Sequence, residues 1–551
     1  MRNWRINSIF LFIILFGAII IGRLIYLQII KHDFYTALAQ GQKDALHIQS
    51  GQRGEIFFNK GQPLASNVKS KTVFINPKEI SDKEETAIRL SEILEIDEQL
   101  ILGIMKKDSV SERIKNNITE DQEKSLKEAM LKGVVVEESV VRRYPQEKIA
   151  SQVIGFFGGE GLGQYGIEGF YEDILRPKEY AQNKYGANIN SASNNGADIY
   201  LTLDYNIQYK AEELLEEAKK NLDFKKGLII VSDPNSGKIL AMANFPNFDP
   251  NKYSEVESFD VFQNQAVQIL YEPGSIFKPI TMASAIDKNK VTPETKYIDY
   301  GIIKFGKSTV QNYGKNIWGE KTMTQVLENS INTGAVFAQK QLGGELFLEY
   351  IRRFGFFEKT RIDLYGEIYS ENKEVKSGRD INFATSSFGQ GIEATPMQMI
   401  KAFSAICNGG KLIKPYIVDK IVKDGKITII SPEISESHVI SQETSFKIAK
   451  MLVSVVENGS AHRAKISRYN IAGKTGTSEI PYSALGINKK GYSDQTWQGF
   501  IGYAPAFSPK FLILVKLDSP KAKTSELSAA PIFGQLAEYI INYMQIPPDN
   551  E

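Results

Sequence analysis

A serine and a lysine stand three residues apart at the predicted start of a helix, in the segment YEPGSIFKPI at 271–280. On a helix, Ser275 and Lys278 would share one face, where backbone N–H groups and the helix dipole favour a developing oxyanion. A partly buried lysine amine of lowered pKa could accept the serine proton. The spacing alone does not identify a nucleophile, because Ser66 and Lys69 repeat it, and an isolated match is more often a helix cap beside a solvated lysine.

Two further motifs downstream carry groups suited to a polar substrate. Ser330 and Asn332, in LENSINTGAV, place a hydroxyl and an amide two residues apart near a predicted helix start. The segment KTGT lies in a predicted strand and consists of Lys474, Thr475, Gly476 and Thr477. Its cation and hydroxyls suit an anionic substrate end, and its glycine allows close approach. Each motif alone leaves a structural interpretation open, since Ser-x-Asn recurs at 193–195 and KTGT is compatible with an edge strand and a turn.

The elements that must position these motifs follow from the apolar pattern after residue 203. DYNIQYKAEELLEEAKKNL predicts an amphipathic helix beginning at Asp204. GLIIVSD and KILAMAN predict a hairpin through the turn PNSG. A mostly helical stretch from about 275 to 410 precedes strands containing YNIAGKTGTSE, WQGFIGYA and KFLILVKLD, and then a final helix. Terminal strands around a helical insertion predict an α+β domain, an antiparallel sheet with helices on both faces.

The N-terminus predicts a membrane anchor. A helix over 8–30 would be about 34 Å long, enough to cross a bilayer, and Arg23 near its far end would snorkel to the interface. A cleaved signal peptide is the alternative, but the apolar stretch is long and no small-x-small cleavage site follows it. Arg2 and Arg5 favour a cytoplasmic tail at 1–7, which places most of this single-pass chain outside the cytoplasm.

Composition excludes several classes of function. The net charge is +1 without a concentrated basic stripe, which argues against nucleic-acid binding. The four histidines are scattered, and with a single cysteine they form no metal-ligand pattern. We therefore expect no metal and no cofactor. Cys407 is expected to be buried near a helix end, and one cysteine cannot form an internal disulfide.

The length of 551 residues predicts two to four structural units, one of them large. Residues 31–200 mix strand-like and helical runs, and the Asn-, Ser- and Gly-rich segment at 183–196 predicts an exposed loop or a junction. We predict a tail at 1–7, a transmembrane signal-anchor at 8–30, an N-terminal domain at 31–200 and a large domain at 201–551.

Ser-x-x-Lys, Ser-x-Asn and Lys-Thr-Gly, in this order and on these elements, resemble the penicilloyl-serine transferase superfamily of penicillin-binding proteins and serine β-lactamases. The resemblance covers about 203–544. Upstream, RGEIFFNKGQPLASN, RRYPQEKIASQVIGFFG and GIEGFYEDIL look like the pedestal motifs of class B, monofunctional penicillin-binding proteins, except that Phe58 and Asn59 stand where Asp and Arg are expected. FGQGIEATPMQM also resembles the class B transpeptidase domain. The implied fold is a penicillin-binding transpeptidase domain on an elongated α+β, dimerisation-type pedestal.

The resemblance implies a serine D,D-transpeptidase that crosslinks peptidoglycan. Ser275 would attack the penultimate D-Ala carbonyl of a stem peptide and expel the terminal D-Ala, with Lys278 as the base in acylation. Ser330 would relay a proton to the leaving amine, although which group serves as base differs between proposals for this superfamily. Asn332 would bind the substrate amide and steady Lys278. An amine from a neighbouring stem would then take the acyl group, and β-lactams would acylate the same serine.

The same resemblance assigns substrate-binding roles to KTGT. Backbone N–H groups of Ser275 and Thr477 would form the oxyanion hole. Lys474, Thr475 and Thr477 would hold the substrate carboxylate, and Gly476 would leave room for it.

The motifs YEPGSIFKPI and LENSINTGAVFA look closer to the division type of class B enzyme, and an elongation-type enzyme is the alternative. A membrane-bound β-lactamase fits the anchor and pedestal poorly, and a β-lactam sensor normally carries further signalling segments. The family implies stem peptides ending in D-Ala-D-Ala, β-lactams, the bacterial cytoplasmic membrane, a polytopic glycan polymerase and other division proteins as partners, and no nucleic acid. Trp318, Trp497 and the tyrosines are candidates for a glycan groove, although packing is the commoner role.

Overall fold

The computed structural model describes residues 16–17, 51–159, 161–177 and 195–550. Apart from 16–17, the predicted span at 8–30 lies outside the described residues, as do the predicted tail and most of the predicted loop at 183–196. Among the described residues, no helix has the length and apolar character needed to cross a membrane.

The chain divides into two compact units. The smaller contains residues 1–53 and 176–196, and within it the backbone N–H of Gln52 donates to Oδ1 of Asn195 at 2.8 Å. The larger contains residues 54–175 and 197–551 and includes every predicted site residue. The elements and contacts that follow belong to this larger unit.

The strands of the larger unit are β1 (Ile56–Phe57), β2 (Pro63–Ile75), β3 (Glu112–Lys115), β4 (Val134–Arg143), β5 (Phe156–Phe157), β6 (Gly163–Gln164), β7 (Asp198–Leu201), β8 (Lys226–Ser232), β9 (Ile239–Phe245), β10 (Lys296–Asp299), β11 (Ile302–Phe305), β12 (Ser308–Gln311), β13 (Gly319–Thr322), β14 (Lys411–Ile413), β15 (Val418–Lys423), β16 (Lys426–Ile429), β17 (Ile434–His438), β18 (Ala472–Pro481), β19 (Tyr492–Ala504) and β20 (Phe511–Asp518).

Its α-helices are α1 (Lys83–Leu94), α2 (Glu98–Met105), α3 (Glu120–Ala129), α4 (Ser151–Ile154), α5 (Gly166–Phe170), α6 (Glu172–Leu175), α7 (Tyr205–Leu222), α8 (Gln265–Gln268), α9 (Lys278–Asp287), α10 (Met323–Glu328), α11 (Asn332–Leu342), α12 (Gly344–Arg353), α13 (Lys373–Lys376), α14 (Asp380–Ser386), α15 (Pro396–Cys407), α16 (Gln442–Asn458) and α17 (Ala529–Tyr543).

The first sheet, which we call the pedestal sheet, is built around the long strand β2. β4 pairs antiparallel with residues 66–75 of β2, while β1 pairs with the beginning of β2 and β3 with its end. Alternate residues of β2, including Val73 and Ile75, turn to one face and pack in a buried core with Leu90, Leu94 and Ile101 of α1 and α2.

Two strands from far along the chain complete the pedestal sheet. β7 pairs parallel with β1 and antiparallel with β15, which in turn pairs with β16. The full order is β16-β15-β7-β1-β2-β3, with β4 beside β2. Strands from before and after residue 201 therefore share one sheet.

A buried ion pair joins the segments that resemble pedestal motifs. Nε of Arg142 donates to Oε1 of Glu168 at 2.8 Å, and the two side chains are 4% and 0% exposed. Nη1 of Arg142 also donates to the carbonyl of Gly54 at 2.8 Å and to Oδ1 of Asn67 at 3.1 Å. The Tyr144 hydroxyl donates to the same Glu168 oxygen at 3.1 Å. This network satisfies the buried carboxylate and ties together three segments distant in sequence.

Phe58, which stands where the family has an acidic residue, is fully buried. Its ring packs edge-on against Tyr205, with the ring centroids 5.4 Å apart. Apolar packing therefore occupies this position.

We expect Glu168→Ala to lower the free energy of unfolding by about 3–5 kcal/mol, because it leaves the buried Arg142 guanidinium without its carboxylate. The measurement is guanidinium unfolding of the detergent-solubilised chain, followed by circular dichroism. The control is Glu138→Ala, which removes an ion pair between β2 and β4 whose side chains are 74% and 65% exposed at Lys69 and Glu138. That change should cost less than about 1 kcal/mol, and equal shifts for both variants would contradict the prediction.

The second sheet is antiparallel, in the order β18-β19-β20-β8-β9. β8, β9 and β20 are buried along nearly their whole length, which indicates cover on both faces. α7 and α17 pack on β9, β19 and β20 and contact each other, whereas α15 and α16 pack together on β20 and β18. Helices thus lie on both faces of an antiparallel sheet, which is the α+β arrangement predicted from the sequence.

Two local predictions match closely. α7 begins after Asp204, whose side chain accepts from the backbone N–H groups of Asn206 and Ile207, and β8 and β9 form the predicted hairpin. The stretch from 275 to 410 is less purely helical than expected, because β10–β13 form two small antiparallel strand pairs within it, β10 with β13 and the hairpin β11–β12. Four-residue strands are too short for their apolar alternation to stand out in the sequence.

Candidate active site

Ser275 lies in a tight 3₁₀ turn, Gly274–Phe277, that runs directly into α9 at Lys278. The α-helix itself therefore begins three residues after the predicted nucleophile, rather than at it. Gly274 has φ +57°, a left-handed conformation that glycine adopts without a steric penalty. The turn points Ser275 along the edge of the second sheet, where β18 passes.

β18 packs directly against this turn. A β-carbon on Gly476 would lie 2.8 Å from Cγ2 of Ile276 and 3.0 Å from the carbonyl oxygen of Pro273. Oγ of Ser478 donates to the carbonyl of Glu272 at 2.8 Å. Gly476 is therefore needed for the approach of the nucleophile turn, a reason different from the substrate access that the sequence suggested.

The Lys278 amine is buried and faces the turn that contains Ser330. It donates to the Ser330 carbonyl, to Oγ of Ser330 at 3.2 Å and to Oδ1 of Asn332 at 2.8 Å. Burial, and secondly the charge of Lys474, hold the pKa of Lys278 well below its usual value of 10.5. The lowered pKa favours the neutral amine, the form that a proton acceptor requires. The Ser275 hydroxyl forms no hydrogen bond with the residues that the structure describes.

Ser330 occupies the turn between α10 and α11 and has φ +53°, which is unusual for a residue with a side chain. Strained backbone of this kind concentrates at functional sites. Its hydroxyl oxygen lies 3.2 Å from Nζ of Lys278 and 3.0 Å from Nζ of Lys474. One hydroxyl therefore bridges the two buried amines.

Asn332 is the first residue of α11 and uses both ends of its amide. Oδ1 accepts from Lys278, and Nδ2 donates to the carbonyl of Gln311 at 3.0 Å. The side chain thus connects the candidate base to the end of β12.

Lys474 lies on β18 and its side chain is fully buried. Besides Ser330, its amine contacts the carbonyl and the hydroxyl of Thr475 at 3.1 and 3.3 Å. Burial lowers the pKa of Lys474 to about 7. The amine therefore gains its positive charge as the pH falls through 7, and a bound anion would favour that charged form.

Two serines that the sequence did not single out hold the hydroxyls of KTGT. Oγ of Ser460 lies 3.1 Å from Oγ1 of Thr475. The backbone N–H of Ser525 donates to Oγ1 of Thr477 at 3.1 Å, and the Thr477 hydroxyl lies 3.1 Å from Oγ of Ser525. Neither serine belongs to a recognisable motif, so only the folded arrangement of their loops identifies them.

The structure thus brings all eight predicted residues to one place, from the turn before α9, the turn before α11 and the strand β18. Residues 227–538, more than half of the chain, match the family model of the penicillin-binding protein transpeptidase domain. The chain belongs to this family. In addition, residues 48–201 of this penicillin-binding protein match the model of the penicillin-binding protein dimerisation domain.

Similar proteins cover nearly all of this penicillin-binding protein. Stage V sporulation protein D of Bacillus subtilis is 31% identical over an alignment of 570 positions, which covers 99% of this chain and 87% of the relative. Peptidoglycan D,D-transpeptidase FtsI of Buchnera aphidicola is 28% identical, over 99% of this chain and 96% of the relative. The crystal structure of penicillin-binding protein 3 of Mycobacterium tuberculosis with aztreonam is similar in fold, with TM-score 0.71, 24% identity and coverage of 91% and 97% of the two chains.

The predicted family, its transpeptidase fold and the predicted enzyme class, a peptidoglycan D,D-transpeptidase, are confirmed by these matches. The individual roles of the eight site residues stay predictions, as does the transmembrane anchor.

Proposed function

We propose that this penicillin-binding protein crosslinks peptidoglycan stem peptides through an acyl-enzyme on Ser275, as a division-type class B enzyme. The observation that carries the proposal is the position of the Ser330 hydroxyl between the amines of Lys278 and Lys474, beside the turn that presents Ser275. This arrangement supplies a nucleophile, a buried amine of lowered pKa and a hydroxyl for proton transfer.

In the acylation step, Oγ of Ser275 attacks the carbonyl carbon of the penultimate D-Ala, and Lys278 takes the hydroxyl proton. The oxyanion is held by the backbone N–H groups of Ser275 and Thr477, each contributing about 3 kcal/mol to lowering the barrier. The C–N bond then breaks, and the leaving D-Ala amine receives its proton through Ser330. Asn332 orients the substrate amide and Lys278.

In the second step, the amine of a neighbouring stem peptide attacks the ester carbonyl and displaces Oγ of Ser275, which recovers a proton from the incoming amine through Lys278. Lys474, Thr475 and Thr477 hold the substrate carboxylate, and its negative charge favours the protonated form of Lys474. β-Lactams react at the same serine, but the amine released by ring opening stays tethered to the acyl group and does not leave the site. Their acyl-enzyme therefore persists.

We further propose that residues 1–7 form a cytoplasmic tail, 8–30 a transmembrane anchor, 31–200 the pedestal and 201–551 the catalytic domain outside the cytoplasmic membrane. The apolar run at 8–30 and the two family matches support this organisation. A polytopic glycan polymerase and other division proteins are the expected partners. Septal localisation of a fluorescent fusion tests the division type, whereas a pattern along the lateral wall assigns the protein to elongation.

The test of the proposed function is labelling of the full-length protein with fluorescent penicillin, followed by the lifetime of the adduct. We expect a label on the peptide containing Ser275 that persists for many minutes, together with crosslinking of glycan strands that carry D-Ala-D-Ala stems. Loss of the label within seconds would indicate a β-lactamase instead. A stable label without any crosslinking would indicate a sensor, and absence of label would refute the proposal.

A further inference from the structure

Two small antiparallel strand pairs lie beside Asn332. β10 pairs with β13 and β11 pairs with β12, between α9 and the turn that contains Ser330. β12 ends at Gln311, whose carbonyl accepts from Nδ2 of Asn332 at 3.0 Å. Ile302 is the cross-strand partner of Gln311. The surface of these strand pairs therefore adjoins the site asparagine.

Four large apolar side chains are exposed on this surface, and we call them the hairpin patch. They are Tyr300, Ile302, Tyr313 and Ile317, with exposed fractions of 70%, 39%, 69% and 72%. Ile317 lies against Gly301, because a β-carbon there would be 2.8 Å from its Cγ1 atom. The backbone N–H of Asn312, next to Tyr313, donates to the carbonyl of Gly301 at 3.2 Å. The four side chains thus belong to two chain segments that meet at Gly301, and clustered exposed apolar groups are typical of binding surfaces.

A buried carboxylate holds the hairpin patch in place. Oδ1 of Asp299 accepts from the backbone N–H of Gly301 at 3.0 Å and from the Thr333 hydroxyl at 2.6 Å. Oδ2 accepts from Nδ2 of Asn312 and from the backbone N–H of Trp318, both at 2.8 Å. Gly301, Asn312 and Trp318 are each next to a patch residue in the sequence, and Thr333 directly follows Asn332. The patch is therefore fixed relative to the active site.

The surroundings of the patch are positively charged. Lys304, Lys307 and Lys315 are exposed, and none of them forms an ion pair within the part of the chain that the structure describes. Lys296 on β10, by contrast, forms an ion pair with Glu320 of β13 at 2.9 Å. Three free cations around an apolar surface favour a ligand that is both amphipathic and anionic.

We propose that the hairpin patch is a binding subsite for the anionic glycopeptide strand whose stem peptide enters the active site. This inference rests on the proposed function and specifies how the strand is held. The tyrosine rings offer apolar faces to the C–H faces of sugar rings and hydroxyls to their polar groups. The lysines attract the carboxylates of the stem peptides.

The position of the patch favours this ligand over a membrane or a protein. Gln311, the cross-strand partner of the patch residue Ile302, is hydrogen-bonded to Asn332, so a bilayer or a bulky partner seated on the patch would obstruct substrate at the site asparagine. A strand that delivers substrate to Asn332 must instead pass over this surface.

The experiment measures binding of a fluorescently labelled, uncrosslinked glycan strand with pentapeptide stems to the full-length protein in detergent. The Ser275→Ala background prevents turnover. We expect Tyr313→Ala/Ile317→Ala to raise the dissociation constant about tenfold, since it removes two exposed apolar contacts. Lys304→Gln/Lys307→Gln should weaken binding and flatten its dependence on salt concentration. The matched control is Ile427→Ala/Ile429→Ala, which removes two equally exposed isoleucines from β16 and should leave the dissociation constant unchanged.

Unchanged strand affinity in the patch variants would overturn the inference, as would equal losses in the control variant. Loss of binding to anionic lipid vesicles with strand affinity intact would assign the patch to the membrane and also overturn it. Circular dichroism of each variant confirms that it folds. Failure of the proposed function is distinguishable, because it appears as absence of penicillin labelling in the wild-type protein.

Discussion

Replacing Ser275 by alanine is expected to abolish penicillin labelling and release of D-Ala, with a loss of at least about 10⁴-fold in acylation rate. The substitution removes the only atom in the proposed mechanism that bonds to the substrate carbonyl, while leaving the 3₁₀ turn and its contact with Gly476 in place. Stopped-flow or gel-based acylation kinetics with fluorescent penicillin measure the loss, and mass spectrometry locates the adduct in the wild-type protein.

The chain supplies its own control for this prediction. Ser66 and Lys69 have the same spacing as the site pair but lie on β2, where residues three apart point to opposite faces. Ser66→Ala should therefore leave the labelling rate unchanged. A labelled Ser275→Ala protein, with the adduct on another residue, would show that the nucleophile has been misassigned.

Replacing Lys278 by methionine is expected to slow acylation about 10³-fold, or roughly 4 kcal/mol in barrier height. Methionine fills the buried volume but cannot accept the Ser275 proton. In the wild-type protein the lowered pKa of Lys278 leaves neutral amine available, and acylation should slow as the pH falls and the amine becomes protonated. This fall in rate at low pH, the acid limb of the pH–rate profile, should disappear in the variant, because no titrating base remains at that position.

The rate of acylation as a function of pH, measured under second-order conditions, tests both parts of this prediction. Lys69→Met is the control, because Lys69 has the same spacing from Ser66 as Lys278 has from Ser275 but is exposed on the surface. An acid limb that survives in Lys278→Met would assign the base to another group, with Lys474 as the next candidate because its pKa lies near 7.

Local sequence signals predicted the elements that carry the site. The Asp204 cap and the apolar stripe of α7 report interactions within one helix, and the turn between β8 and β9 is equally local. The three motifs were recognisable as a set, and the structure brings them together on two turns and a strand. These features depend on short-range physics or on a combination of residue types that few folds require.

The remaining features depend on contacts between distant segments, which no local pattern encodes. Ser525 meets Thr477 across 48 residues, and Glu168 meets Arg142 across 26 residues. The need for glycine at 476 became clear only when the turn containing Ile276 was placed against it. Asp299 likewise has four partners, and the sequence gives no sign that one carboxylate binds them all.

The strands β15 and β16 have a consequence for attempts to exchange parts between enzymes of this family. They come from the catalytic half of the sequence, yet β15 is hydrogen-bonded to β7 in the pedestal sheet. A chimaera joined at residue 201 would take β7 from one parent and β15 from the other, so that β15 would pair with a foreign strand whose register it was not selected to match. A catalytic fragment without β7 would expose the backbone edge of β15, and unpaired strand edges promote aggregation by pairing with other chains. Grafting a new pedestal therefore requires exchanging residues 418–429 together with the N-terminal part of the sheet, because the pedestal is built from two separate stretches of the chain.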